Sequence, residues 1–262
     1  TLDHRTHRAP LSGRSPVWTC DAVANHRRPC PILDDRGCAP RNDRGGLSSG
    51  LSKQGCLFNR CILERMEALI TGFEPFGDNA TNPTQRLVEV LSTDYAASRQ
   101  DCARLRAQLL PVSFTRARTQ IQRLAAQFRP RIVLCTGLST EARSLLVERI
   151  AVNEQAGADN DGLTLSGARV DAAGTDGLFA TIDAARLSDF LAQRGLKTEI
   201  SWHAGTYVCN TALYTAVQSA GQYGGKAGFL HVPADVDVHA LAAALYEWAE
   251  AESELAAAGQ KA

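Results

Sequence analysis

From Met66 onward, short apolar runs alternate with stretches whose apolar residues recur at helical spacing, and Gly, Pro, Asn or Asp marks each change of period. No other feature constrains the fold as strongly. A strand with both neighbours parallel must be reached by a crossover, usually helical, and it reads as an unbroken apolar run because both its faces are covered. ALITGF and RIVLCTG are such runs, LRAQLLPVS and LLVERIAVN are further strands, and PTQRLVEVLS and FTRARTQIQRLAAQF have the amphipathic period between them. Further on come a helix near DAARLSDFLAQRG, a strand at KTEIS, a helix beginning around Cys209, a strand AGFLHVP and a closing helix VDVHALAAALYEWAEAE. The Gly- and Asp-rich stretch 154–177 is expected to hold a hairpin around GLTLSGARV, and its length and glycines suit a segment that closes over a site. The pattern predicts a single α/β domain over 66–262, with a mainly parallel, twisted sheet and helices on both faces.

Residues 1–65 differ in kind. They hold 11 Lys and Arg against 6 Asp and Glu, which leaves 17 against 22 in the rest of a chain with zero net charge. Rich in Arg, Pro, Gly and Ser and without a period, this extension lacks the apolar material to offset chain ordering and is expected to be disordered. Five of the eight cysteines, Cys20, Cys30, Cys38, Cys56 and Cys61, fall in it. None forms a C-x-x-C pair, so neither a metal site nor a cofactor is expected. Asp3, Asp21, Asp34 and Asp35 argue against a mitochondrial presequence. The mildly acidic remainder offers no footprint for a phosphate backbone, which excludes nucleic acid as its partner. No apolar run reaches the roughly 18–20 residues of a membrane span, so no membrane partner is expected.

In an open α/β sheet the ligand site lies beyond the carboxyl ends of the strands. Three strand ends carry candidates: ALITG runs into FEPFG, RIVLCTG into LSTEA, and AGFL into His231 and Pro233. Cys209 stands at the head of a helix, where unpaired N–H groups and the positive end of the dipole favour a thiolate. Cys102 and Cys135 lie inside strand patterns and read as small buried hydrophobes. A nucleophilic thiol needs an imidazole, and the imidazole an orienting group. Of the histidines beyond the extension, His239 lies on the closing helix, His203 lies between strand and helix, and His231 ends an apolar strand. Glu148 is a carboxylate within the otherwise apolar LLVERIAVN, where an unpaired charge would be costly. Spacing alone also allows an ordinary ion pair of Glu148 with Arg149 and a buried, unreactive Cys209.

ITGFEPFG, the NP at Asn82, ERIAVN, AGTYVCN and FLHVP, in that order, resemble the pyroglutamyl peptidase I family of cysteine peptidases. The resemblance runs from Met66 to about the C-terminus. It implies hydrolytic removal of N-terminal pyroglutamyl residues from peptides through a thioacyl enzyme, with Cys209 as nucleophile, His231 as general base and Glu148 as the orienting carboxylate. It further implies a pocket for a neutral lactam walled by Phe73 and Phe76, with Tyr207 and Val208 on the side nearest the thiol and with Leu138, after Gly137, where many members carry Gln and others an apolar residue. A homo-oligomer, often a tetramer, is also implied, and an exposed, activated thiol fits a reducing cytoplasm. Many members carry an arginine ahead of a PDN-G turn, whereas NEQAGADNDG has none. Loss of one oxyanion donor lowers rates by roughly a hundred- to a thousandfold, so a weak or inactive relative that binds pyroglutamyl peptides stays open as an alternative, as does another α/β hydrolase or phosphorylase.

Met66 is the only methionine and directly precedes the first strand, so translation is expected to start there. Intact mass of the protein from its native source checks this; a mass that includes residues 1–65 refutes it.

Overall fold

The computed structural model describes residues 68–95 and 105–259. The extension with its five cysteines, Met66 and Cys102 lie outside the described residues. Nine strands and five helices follow one another: β1 (Ala68–Phe73), α1 (Pro83–Val90), β2 (Leu105–Leu110), α2 (Phe114–Phe128), β3 (Ile132–Leu138), β4 (Leu145–Val152), β5 (Gln155–Ala158), β6 (Thr164–Ala168), β7 (Gly177–Phe179), α3 (Ala184–Ala192), β8 (Thr198–His203), α4 (Val208–Gly221), β9 (Lys226–Val232) and α5 (Val238–Gly259). A π-helical turn at Leu91–Tyr95 extends α1.

The seven-stranded sheet has the order β2-β1-β3-β9-β4-β7, with β8 also paired to β4. β2, β1, β3 and β9 are parallel. β4 opposes β9, and β8 runs parallel to β4, so the sheet is mixed at one end. The expected hairpin forms as β5 against β6, a separate two-stranded sheet. β8 reaches past KTEIS to His203, because its register with β4 continues to the pair Ile150 and His203.

Each central strand divides its side chains between two cores, as the period of two requires. On one face Leu69, Val133, Cys135, Ala227 and Phe229 pack with α2 and α4. On the other, Ile70, Leu134, Leu230 and Val232 pack with α1, α3 and α5. The helices start where local chemistry favours it. Asn82, Ser113 and Asp183 accept backbone N–H bonds at the heads of α1, α2 and α3, and Pro83 supplies the first residue of α1. Asp237 accepts from His239 and Ala240 at the head of α5. Among the described residues no helix is long and apolar enough to cross a bilayer.

The end of β1 is held by α1 through a short chain of hydrogen bonds. The Phe73 N–H donates to Thr84 Oγ1 at 2.9 Å, Thr84 Oγ1 donates to Asn82 Oδ1 at 2.8 Å, and Asn82 Nδ2 donates to the Glu74 carbonyl at 3.0 Å. This contact requires a glycine, since a Cβ on Gly72 would lie 2.2 Å from the Thr84 carbonyl oxygen. Gly72→Ala is expected to push α1 off the strand and lower stability by about 2 kcal/mol. For a domain of this size that corresponds to a fall in Tm of about 4–8 °C. A thermal melt within 1 °C of wild type would contradict the contact.

Candidate active site

The period that builds the two cores also selects the site. Gly137 and His231 follow Cys135 and Phe229 at intervals of two, so both emerge on the face covered by α2 and α4, and they are register partners across β3 and β9. On β4, Leu145 and Val147 belong to the opposite core, which turns Glu148 toward the same face as His231. Antiparallel pairing sets Leu146 opposite His231 and Glu148 opposite Phe229, so Glu148 is the diagonal neighbour of His231. Long side chains bridge such diagonals.

The His231 Nδ1–H donates to Glu148 Oε1 at 2.6 Å, and the two side chains are 13% and 1% exposed. Glu148 Oε2 is buried and has no hydrogen-bond partner among the described residues. The Phe229 ring stands edge-on to the imidazole, with centroids 4.8 Å apart. Burial alone would push the His231 pKa down, but the Cys209 sulfur and the Glu148 carboxylate outweigh it and hold the imidazole up at about 10.

Cys209 is the second residue of α4 and is half-buried. Its Sγ rests over the backbone of Gly137, where an added Cβ would stand 2.8 Å from the sulfur and 2.8 Å from the Phe229 ring. The head of α4 is fixed by Asn210, which accepts from the Val152 N–H and donates to the carbonyls of Val152 and Glu154. No side chain caps this helix. Cys135, fully buried on the same face, has its thiol pushed up to about 12 by that burial.

Cys209 and His231 open into one cavity of about 220 Å³, lined also by Phe73, Phe76, Leu138, Tyr207 and Val208. Glu148 lies behind His231 and does not line it. Phe73 serves both as core and as wall, at 2% exposure. His203 is exposed and accepts the Gly205 N–H, and His239 is exposed at the start of α5; neither reaches the cavity. Asn82, Val112, Ser139, Thr140, Glu141 and Ala204 complete the lining. Sequence reasoning assigned none of these a place there, although NP at Asn82 and LSTEA at a strand end had marked two of the segments.

The β5–β6 hairpin is bonded to segments that carry the cavity walls. Asp159 in its turn accepts from the Asp161 and Leu163 N–H groups and, through Oδ2, from the Phe114 N–H at the head of α2. Asn160 bonds the backbone of Val112 and Pro75, Arg116 makes a two-pronged pair with Asp161, and the Tyr207 hydroxyl donates to the Ala158 carbonyl at 2.7 Å. The stretch read as a closing segment is thus tied down at four places. Among the described residues no cluster of His, Cys, Asp and Glu could hold a metal ion.

Fold and site define a class: an α/β protein in which a thiol, an imidazole and a buried carboxylate meet at the carboxyl end of a mainly parallel sheet. A family model for pyroglutamyl peptidase matches residues 66–243. The pyrrolidone-carboxylate peptidase of Thermococcus onnurineus is 36% identical over 172 residues, 64% of this chain and 84% of that protein. Pyrrolidone-carboxylate peptidase 1 of Saccharolobus solfataricus is 32% identical over 170 residues, 64% of this chain and 79% of that protein. The pyrrolidone carboxyl peptidase structure from Thermococcus litoralis superposes with a TM-score of 0.65 at 28% identity, covering 75% of this chain and 96% of that one. This chain belongs to the pyroglutamyl peptidase family, and it is a hydrolase of the peptidase class.

His231 gains a proton affinity on folding, from an ordinary 6.5 to about 10. A raised folded pKa stabilises fully below the unfolded value and ceases to do so above the folded one. The stability difference between wild type and His231→Gln, measured by urea denaturation, should therefore be largest near pH 6 and shrink steadily toward pH 10. A difference that grows over that window would contradict the Glu148–His231–Cys209 arrangement.

Proposed function

We propose that this protein removes N-terminal pyroglutamyl residues from peptides, with Cys209 as nucleophile, His231 as general acid and base, and Glu148 as the residue that orients the imidazole. The supporting observation is a cavity in which the Cys209 sulfur and the His231 imidazole meet, with Nδ1 held by a buried carboxylate, in a member of the pyroglutamyl peptidase family. The cavity walls suit the substrate. Pyroglutamate is a neutral lactam with one amide donor and one ring carbonyl, and Phe73, Phe76, Val112, Leu138, Tyr207 and Val208 offer flat apolar surface for it.

Because Glu148 occupies Nδ1, Nε2 is the atom that exchanges protons with sulfur and substrate. His231 already carries its proton in the resting site, and the sulfur attacks as a thiolate the carboxyl carbon that joins the pyroglutamyl ring to the next residue. The oxygen of that carbonyl takes up negative charge and is met by the free N–H groups at the uncapped head of α4. As the C–N bond breaks, His231 gives its proton to the departing amine and leaves a thioester on Cys209. Water, deprotonated by the same imidazole, then attacks the thioester; free pyroglutamate leaves and the thiolate is restored. No arginine supplements the helix head in NEQAGADNDG. A thiol working in this way belongs in a reducing compartment such as the cytoplasm.

Release of a fluorescent amine from a pyroglutamyl amide tests the reading. Cys209→Ser and His231→Ala should each lower kcat by at least about a thousandfold. Glu148→Gln, which can still accept the Nδ1–H bond but carries no charge, should retain more activity than either. Unchanged turnover by Cys209→Ser would refute the assignment.

A further inference from the structure

The cavity is polarised across β3. Phe73 ends β1 and Phe76 and Val112 stand just beyond β1 and β2, so these apolar walls lie on one side of β3 in the sheet order, whereas β9 with His231 lies on the other. Ser139, Thr140 and Glu141, the first residues after β3, form a polar lining. The Ser139 N–H donates to the Val232 carbonyl at 3.0 Å, which fastens this loop beside the end of β9 and next to His231. A substrate whose ring occupies the apolar side must turn its leaving amine toward His231, because that imidazole supplies the proton. The residue following the pyroglutamyl group is therefore carried toward the Ser139–Glu141 loop.

Glu141 is the one acidic residue among those lining the cavity, and it is exposed. No ion pair joins it to another described residue. Arg143, two positions on, does not line the cavity, and the remaining lining side chains apart from Cys209, His231 and Tyr207 carry no titratable group. The rim on the leaving-group side is therefore negative and uncompensated, beside walls that are neutral. We propose that Glu141 is a specificity-determining residue that favours pyroglutamyl peptides with a cationic second residue, Lys or Arg, over those with an acidic one; this rests on the pyroglutamyl reading above. The carboxylate attracts the cation during encounter and in the bound state, and it repels an acidic side chain at the same place. Exposed charges are screened over about 8 Å at physiological salt, so the selectivity is moderate and depends on ionic strength.

The test compares kcat/KM of the full-chain protein for pyroglutamyl-lysyl, pyroglutamyl-alanyl and pyroglutamyl-glutamyl amides at low salt and in added sodium chloride. The expected order is Lys, Ala, Glu, with about five- to tenfold between the extremes at low salt, in keeping with exposed charge pairs acting in attraction and repulsion together. The spread should contract with salt, fall to within about twofold in Glu141→Gln, and reverse in Glu141→Lys. Equal cleavage of the three amides by wild type, or an order unchanged in Glu141→Gln, overturns the role of Glu141 alone. Failure to cleave any of the three overturns the pyroglutamyl reading, and this inference with it.

Discussion

The contact between Glu148 and His231 is the interaction on which the rest of the structure turns. An ion pair with one carboxylate oxygen buried and unpartnered is poor material for stability, since desolvation of both charges offsets much of their attraction. In this sheet β4 runs against β9 with Leu146 opposite His231, and that register places Glu148 on the diagonal and on the α4 face. β4 is also the strand that reverses direction beside the parallel run of β2, β1, β3 and β9. β8 then follows β4 in parallel, and β7 caps its far half in the antiparallel sense.

Around this charged centre part of the framework is made of neutral polar side chains bonded to backbone and to one another. Asn82 and Thr84 hold the end of β1, Asn210 joins α4 to β4, Asn153 exchanges two bonds with Asp171, and Gln155 donates to Thr211. All of these except Asp171 are buried. Polar groups in that position are tolerated only when paired, and once paired they fix a single arrangement of loops that could otherwise shift. A neutral ligand suits such surroundings, because a further buried charge would face no compensating partner.

Much of this was legible in the sequence, for a reason visible in particular residues. ALITGF and RIVLCTG read as covered strands, and AGFLHV, which forms most of β9, had the same apolar character, whereas β2 with Arg106 and Gln108 is the partly exposed edge. A lone carboxylate in LLVERIAVN, a histidine closing FLHV and a cysteine at the head of a helix each break a local rule, and such breaks concentrate at functional sites. What escaped was information that depends on pairing. The direction of β4 leaves no trace in its composition, since an apolar strand reads alike in either sense. Asp159, Asn160 and Asn210 look like ordinary turn or helix-end residues, and only their partners 45–85 positions away show which distant segments they join. Gly137 reads as a strand end, and its role as the bare surface under Cys209 needs the sulfur in place.

The head of α4 shows how the fold accommodates chemistry at a local cost. Asn82, Ser113, Asp183 and Asp237 supply side-chain acceptors to the other four helices, whereas Tyr207, at the corresponding place on α4, supplies none. An absent cap costs about 1 kcal/mol, and a Ser or Asp there would recover it. That same side chain would occupy N–H groups at the helix head beside Cys209. Tyr207 instead sends its hydroxyl away to Ala158 and lays its ring against Phe114 and Phe76, so the residue that leaves the helix uncapped also builds the apolar wall. Stability given up at the first turn is replaced by ring packing and by the three bonds of Asn210, which hold the helix in register without entering the space in front of the sulfur.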